Sequence, residues 1–132
     1  MAVHNTGPVR VSSRSPSSRR LLRRLPRLAD RFPAVAKLTL RWVMVDGHRA
    51  LEHKTWVFNP DVRFMLQVDC ANRGCVDGGH DLEALVASAV AAGQSEMDGE
   101  LRCKGWRAGT DARRLDPCDC ELHFHVDIEY QQ

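Results

Sequence analysis

Several absences narrow what this chain can do. No apolar run approaches the ~18–20 residues of a membrane-spanning helix, and no apolar stretch follows the basic residues near the N-terminus. Neither a span nor a secretory signal is therefore expected, and the reading places the chain in the cytoplasm. There is no glycine-rich phosphate loop, no Gly-x-Ser-x-Gly nucleophile elbow and no Cys-x-x-Cys redox motif. Those absences remove the common routes to nucleotide hydrolysis, serine hydrolysis and dithiol exchange. No internal repeat is visible.

Charge of one sign is also missing from one end. Residues 1–37 hold nine Lys or Arg and a single acid, Asp30, a formal +8, whereas residues 38–132 hold ten basic and sixteen acidic residues, −6. The overall +2 conceals a basic arm on an acidic body. An acidic body is a poor broad phosphate-binding surface, because phosphate contacts come largely from Lys and Arg. The arm is the part suited to a polyanion.

The sequence divides accordingly into an arm, residues 1–33, and a domain, residues 34–132. Ser, Arg, Pro and Gly dominate residues 5–20 and leave little to bury, so most of the arm reads as disordered. Leu21, Leu25, Leu28 and Phe32 then fall at helical spacing, interrupted by Pro26. Arg19, Arg20, Arg23, Arg24 and Arg27 cluster there and are the candidate nucleic-acid contacts. The same composition also suits an organelle transit peptide, an anionic membrane surface or a solvated extension. Arg outnumbers Lys sixteen to three over the chain, so Arg in the arm is partly background.

Within the domain, residues 34–47 alternate, with Leu38, Leu40, Trp42 and Met44 on one parity and a turn signal at Asp46-Gly47. Residues 53–58 make a second strand. Residues 61–70 alternate through Val62, Phe64, Leu66, Val68 and Cys70, predicting a third strand in an antiparallel meander. A helix capped by Asp81 follows, with Leu82, Leu85, Val86 and Ala89 on one stripe and Gly93 as terminator. Two strands close the chain, at residues 99–105 and 121–130, the latter with Leu122, Phe124, Val126, Ile128 and Tyr130 on one face. The order β-β-β-α-β-β predicts an α+β fold, one mixed sheet with a single helix packed on it and a metal site at one sheet edge.

Five cysteines remain: Cys70, Cys75, Cys103, Cys118 and Cys120. An odd number in a cytoplasmic chain argues against structural disulfides. If a helical crossover makes strands three and four parallel, Cys70 and Cys103 end at the same edge, where the last strand begins with Cys118 and Cys120. Cys70, Cys75, Cys103 and Cys118 are thus the candidate ligands of a structural Zn2+, which takes four sulfurs tetrahedrally. Cys118 is preferred to Cys120 because it stands in the loop mouth. The alternative is that several are simply buried thiols.

The histidines supply the competing reading, a small metal- or thiol-dependent enzyme. His80 lies close in sequence to Cys75, as a base would. His123 and His125 share a strand face, and with Glu129 their His-x-His-x3-Glu spacing is similar to a cupin motif over these residues alone. Pro117 stands where that motif has glycine. The favoured expectation is a non-enzymatic binding or accessory module whose partner is nucleic acid, another anionic partner or another protein.

Overall fold

The computed structural model describes residues 25–108 and 115–132. In chain order its elements are helix α1 (Leu28–Arg31), strands β1 (Val35–Asp46), β2 (Arg49–Phe58), β3 (Gln67–Val68) and β4 (His80–Asp81), helix α2 (Glu83–Ala91), and strands β5 (Glu96–Arg102), β6 (Trp106–Ala108), β7 (Leu115–Pro117) and β8 (Cys120–Tyr130). Strands hold 52% of these residues and helices 13%. The expected α+β class, one mixed sheet with one packed helix, is therefore overturned: the protein is mostly β. A four-stranded sheet in the order β2-β1-β8-β5 is antiparallel at every pairing, and two ribbons, β3–β4 and β6–β7, stand beside it.

The sheet forms where the alternation is longest. β1 and β2 close through a two-residue loop, with Asp46 paired to Arg49. Gly47 supplies φ +63 at the first loop position, as type II′ hairpins require. β8 then pairs with β1 along almost its whole length, from Val35–Tyr130 to Asp46–Cys120. The inner face buries Leu38, Leu40, Trp42 and Met44 of β1, Trp56 and Phe58 of β2, and Leu122, Phe124, Val126 and Ile128 of β8. Each alternating run thus places its apolar parity inward.

Residues 61–70 depart from expectation. Phe64, Leu66 and Val68 are buried, yet only Gln67–Val68 is strand, and it pairs with β4 rather than joining the sheet. Its upstream backbone bonds instead to the α1 region: Leu28 N–H donates to Val62 O at 3.0 Å, and Phe64 N–H to Pro26 O at 3.1 Å. The segment covers the core as a strap. Phe64 lies 5.9 Å, centroid to centroid, from both Phe58 and Phe32, continuing a row of tilted rings through Trp56 to Trp42. Edge-on contacts of this kind add to the area the rings bury. Leu28 and Phe32 are 0% and 5% exposed, so apolar residues belonging to the core occur upstream of residue 34.

Helix α2 starts where expected, though Asp81 sits in β4 and its carboxylate accepts the Glu83 N–H at 2.9 Å. Leu82, Val86 and Ala89 are buried, whereas Leu85, expected on the same stripe, is exposed. Gly93 at φ +69 ends it. No described helix is long and apolar enough to cross a membrane.

β5 carries one further constraint. Gly99 faces Phe124 across the sheet, and an added Cβ would stand 2.6 Å from its ring. Gly99→Ala is expected to cost roughly 1–3 kcal/mol through overpacking, measured by urea denaturation. An unchanged midpoint would mean that the Phe124 ring gives way freely.

Candidate metal centre

Three short segments meet at one corner of the fold. Cys70 and Cys75 follow β3, Cys103 follows the last residue of β5, and Cys118 stands between β7 and β8. Their four sulfurs lie within 4.8 Å of one another. Sulfurs at ~2.3 Å from a shared tetrahedral ion stand about 3.8 Å apart. Here Cys70 Sγ and Cys118 Sγ are separated by 3.7 Å, and Cys75 Sγ and Cys103 Sγ by 3.6 Å. A disulfide would need ~2.05 Å, and all five cysteines are free. The donor set and its spacing fit a tetrahedral thiophilic ion.

The surrounding backbone is built toward those sulfurs. Asn72 N–H points at Cys70 Sγ at 3.4 Å, while the N–H groups of Gly79 and Gly105 point at Cys103 Sγ at 3.3 and 3.4 Å. At Cys70 the Asn72 amide opposes the upward shift that burial imposes on the thiol. The two loops are laced together: Val76 and Trp106 exchange both backbone bonds, at 2.7 and 3.0 Å, and Lys104 N–H donates to Gly79 O at 3.2 Å. Gly78 and Gly105 are needed for space. A Cβ on Gly78 would fall 2.2 Å from Cys75 Sγ and 2.8 Å from Cys103 Sγ, and one on Gly105 would fall 2.5 Å from both Cys75 Sγ and Gly78 Cα. Asn72 forms the turn between Cys70 and Cys75, its side chain accepting the Gly74 N–H at 2.9 Å.

Four thiols this close cannot all ionise without a cation. Burial, and then hydrogen bonding among the sulfurs, pushes the Cys70 and Cys75 thiols up. Cys118 moves down: burial opposes its ionisation, but hydrogen bonds from the Cys120 backbone and from the neighbouring thiols outweigh it. A divalent ion held by these sulfurs would relieve that opposition, since a metal takes its cysteine ligands as thiolates.

The fifth cysteine stands beside this group rather than in it, its thiol meeting those of Cys70 and Cys118. Cys120 is fully buried in β8, and burial pushes its thiol up to about 11. Its carbonyl accepts the Cys103 N–H at 2.8 Å, so its backbone helps to place a sulfur while its own stays outside the four. The cysteines do not meet across parallel strands as expected: every pairing among the described strands is antiparallel, and β5 and β8 are neighbours with Arg102 opposite Glu121. The end of one and the start of the other therefore fall at the same corner, and the β3–β4 ribbon brings the remaining pair.

His80 is 1% exposed and outside the group. Its ring nitrogens face Val68 O at 3.3 Å and Cys120 O at 3.4 Å. Burial lowers its pKa while the two carbonyls act to raise it, and the ring lies between β3 and β8. A base for Cys75 would face sulfur, and these nitrogens face carbonyls. His123 and His125 project from the outer face of β8. Asp98 and Asp127 hold the His125 proton and raise its pKa, while His123 meets Glu121 at 3.3 Å. Glu129 pairs with Lys37, at 3.9 Å, rather than with either histidine. Arg107 clamps the corner, reaching Asp119 at 2.6 Å and Asp46 at 3.4 Å.

Of the arm residues, Arg19, Arg20, Arg23 and Arg24 lie outside the described residues. Arg27 immediately precedes α1, and its backbone N–H donates to the Asp30 carboxylate at 3.1 Å. Sequence reasoning missed Gly105, although a glycine two residues after Cys103 is a legible sign of backbone approaching sulfur. Comparison with known proteins finds no matching family model, no matching curated protein and no matching solved structure.

Proposed function

We propose that this chain is a small binding module, not an enzyme, whose β fold is stapled by a structural Zn2+ on Cys70, Cys75, Cys103 and Cys118. The observation carrying this reading is four sulfurs within 4.8 Å of one another, two pairs of them at 3.6 and 3.7 Å, under backbone amides directed at sulfur. Four protein sulfurs fill the coordination sphere, whereas catalytic zinc keeps a position open. Zinc, rather than an iron centre, is proposed because it needs no redox partner. Five unpaired cysteines suit a reducing compartment, the cytoplasm. Elemental analysis of the purified chain is expected to return one zinc per chain. Iron in its place, or no metal, would overturn the assignment.

The partner proposed is nucleic acid, held by the basic arm through Arg19, Arg20, Arg23, Arg24 and Arg27. Its support is the +8 of residues 1–37 against a −6 body. Changing Arg19, Arg20, Arg23 and Arg24 together to Gln is expected to weaken single-stranded oligonucleotide binding about tenfold or more and flatten its salt dependence, since each lost phosphate contact lowers the slope by roughly one. Fluorescence anisotropy at two salt concentrations reads both. Unchanged affinity would remove the arm from the interface.

A further inference from the structure

We propose that the outer face of the sheet carries a second, separate metal site, formed by Glu100, Glu121 and His123, which takes a divalent transition-metal ion through two carboxylates and one imidazole. Glu100 of β5 stands directly opposite His123 of β8. Glu121, two residues before His123, points to the same side because strand side chains alternate. One ligand atom from each of the three lies within 4.8 Å of the other two. Two donors come from alternate positions of one strand and the third from its neighbour.

His123 Nε2 meets Glu121 Oε1 at 3.3 Å, Arg102 reaches Glu121 at 3.9 Å with its side chain 66% exposed, and Glu100 offers a further carboxylate oxygen within 4.8 Å of both ligand atoms. The neighbouring rung of the same face shows what a satisfied arrangement looks like, with His125 hydrogen-bonded to both Asp98 and Asp127. A divalent cation would satisfy the Glu100–Glu121–His123 rung in the same way. Mixed oxygen and nitrogen donors suit Zn2+, Co2+, Ni2+ or Mn2+ rather than a thiophilic ion.

The surroundings allow access. His123 also lines an open groove of about 440 Å3 with Arg41, His53, Lys54, Thr55 and His125. Three protein donors leave coordination positions unfilled, and the groove beside His123 gives an exogenous ligand room to reach them. The site shares no residue with the cysteine centre and does not depend on it.

The test is calorimetric titration of the full-length protein, as purified with its metal, using Co2+ as the probe. One additional equivalent is expected, with the weak visible bands of oxygen and nitrogen coordination and none of the intense thiolate-to-cobalt absorption of a four-sulfur site. Glu100→Gln and His123→Gln should each weaken it at least about tenfold, while His53→Gln leaves it unchanged. Far-ultraviolet circular dichroism of each variant confirms that the fold is retained. No added equivalent, equal binding by the variants, or thiolate bands alone would overturn the proposal. The metal content before titration reports on the cysteine centre separately.

Discussion

Serine at Cys70, Cys75, Cys103 or Cys118 is expected to strip the metal and unfold the domain in one event. The four sulfurs come from the loop after β3, the end of β5 and the residues just before β8; β5 and β8 are paired, whereas the loop after β3 reaches them through short ribbons and loop bonds. The two-residue strands β3 and β4 and the three-residue β6 and β7 cannot stand alone, since isolated hairpins of ordinary length are already marginal. On the proposed reading, a metal on the four sulfurs would add to the backbone bonds that hold that corner against the sheet. Its binding energy is folding energy, because the unfolded chain cannot preassemble the site. A loss of roughly 5 kcal/mol or more is expected, comparable with the whole stability of a small domain. Thermal melts with and without chelator measure it. Cys120→Ser is the control: it should keep the metal and cost only about 1–2 kcal/mol for a buried hydroxyl. Metal loss at Cys120→Ser, with retention at Cys118→Ser, would mean that the fourth ligand has been misassigned.

Alanine at Gly105 is expected to damage the same centre without touching a sulfur. Its new Cβ would lie 2.5 Å from Cys75 Sγ, 2.5 Å from Gly78 Cα and 2.7 Å from Gly78 N. Two of those atoms are backbone, and neither can rotate aside. The loops must part, and the sulfur spacing goes with them. Metal affinity should fall about 10- to 100-fold, the range seen when the support around ligands is disturbed, with Gly78→Ala behaving alike. Gly74→Ala serves as the comparison, because its Cβ would meet only Asn72 Oδ1 at an ordinary 3.5 Å. Competition with a chromophoric chelator ranks the three. A Gly105→Ala protein with unaltered affinity would show that the loops do not need this close approach.

How much of this was legible from the residues varies with the range of the interaction concerned. The pairing of β1 with β2 was readable because Asp46-Gly47 is a local turn and alternation marks the inward parity on both sides. β8 was readable for the same reason, through Leu122 to Ile128. The third strand was not. Val62, Phe64, Leu66 and Val68 alternate because one side of the segment is buried, and alternation reports burial without naming the neighbour. That side rests on the aromatic row, and its backbone bonds go to Pro26 and Leu28 rather than to a strand.

What the sequence determined by itself was local: the turn, the inward parities, the α2 terminator at Gly93, and a set of cysteines too many and too scattered for a simple disulfide pattern. What the tertiary structure decided was which distant pieces meet. The sheet order β2-β1-β8-β5 makes every pairing antiparallel, and this alone sets the end of β5 beside the start of β8. It also sets Glu100 against His123, a pairing invisible while the two strands are separated along the chain. Side-chain periodicity is fixed by backbone geometry within a few residues. Strand order is fixed only when the whole core closes, by which apolar faces can be covered at once.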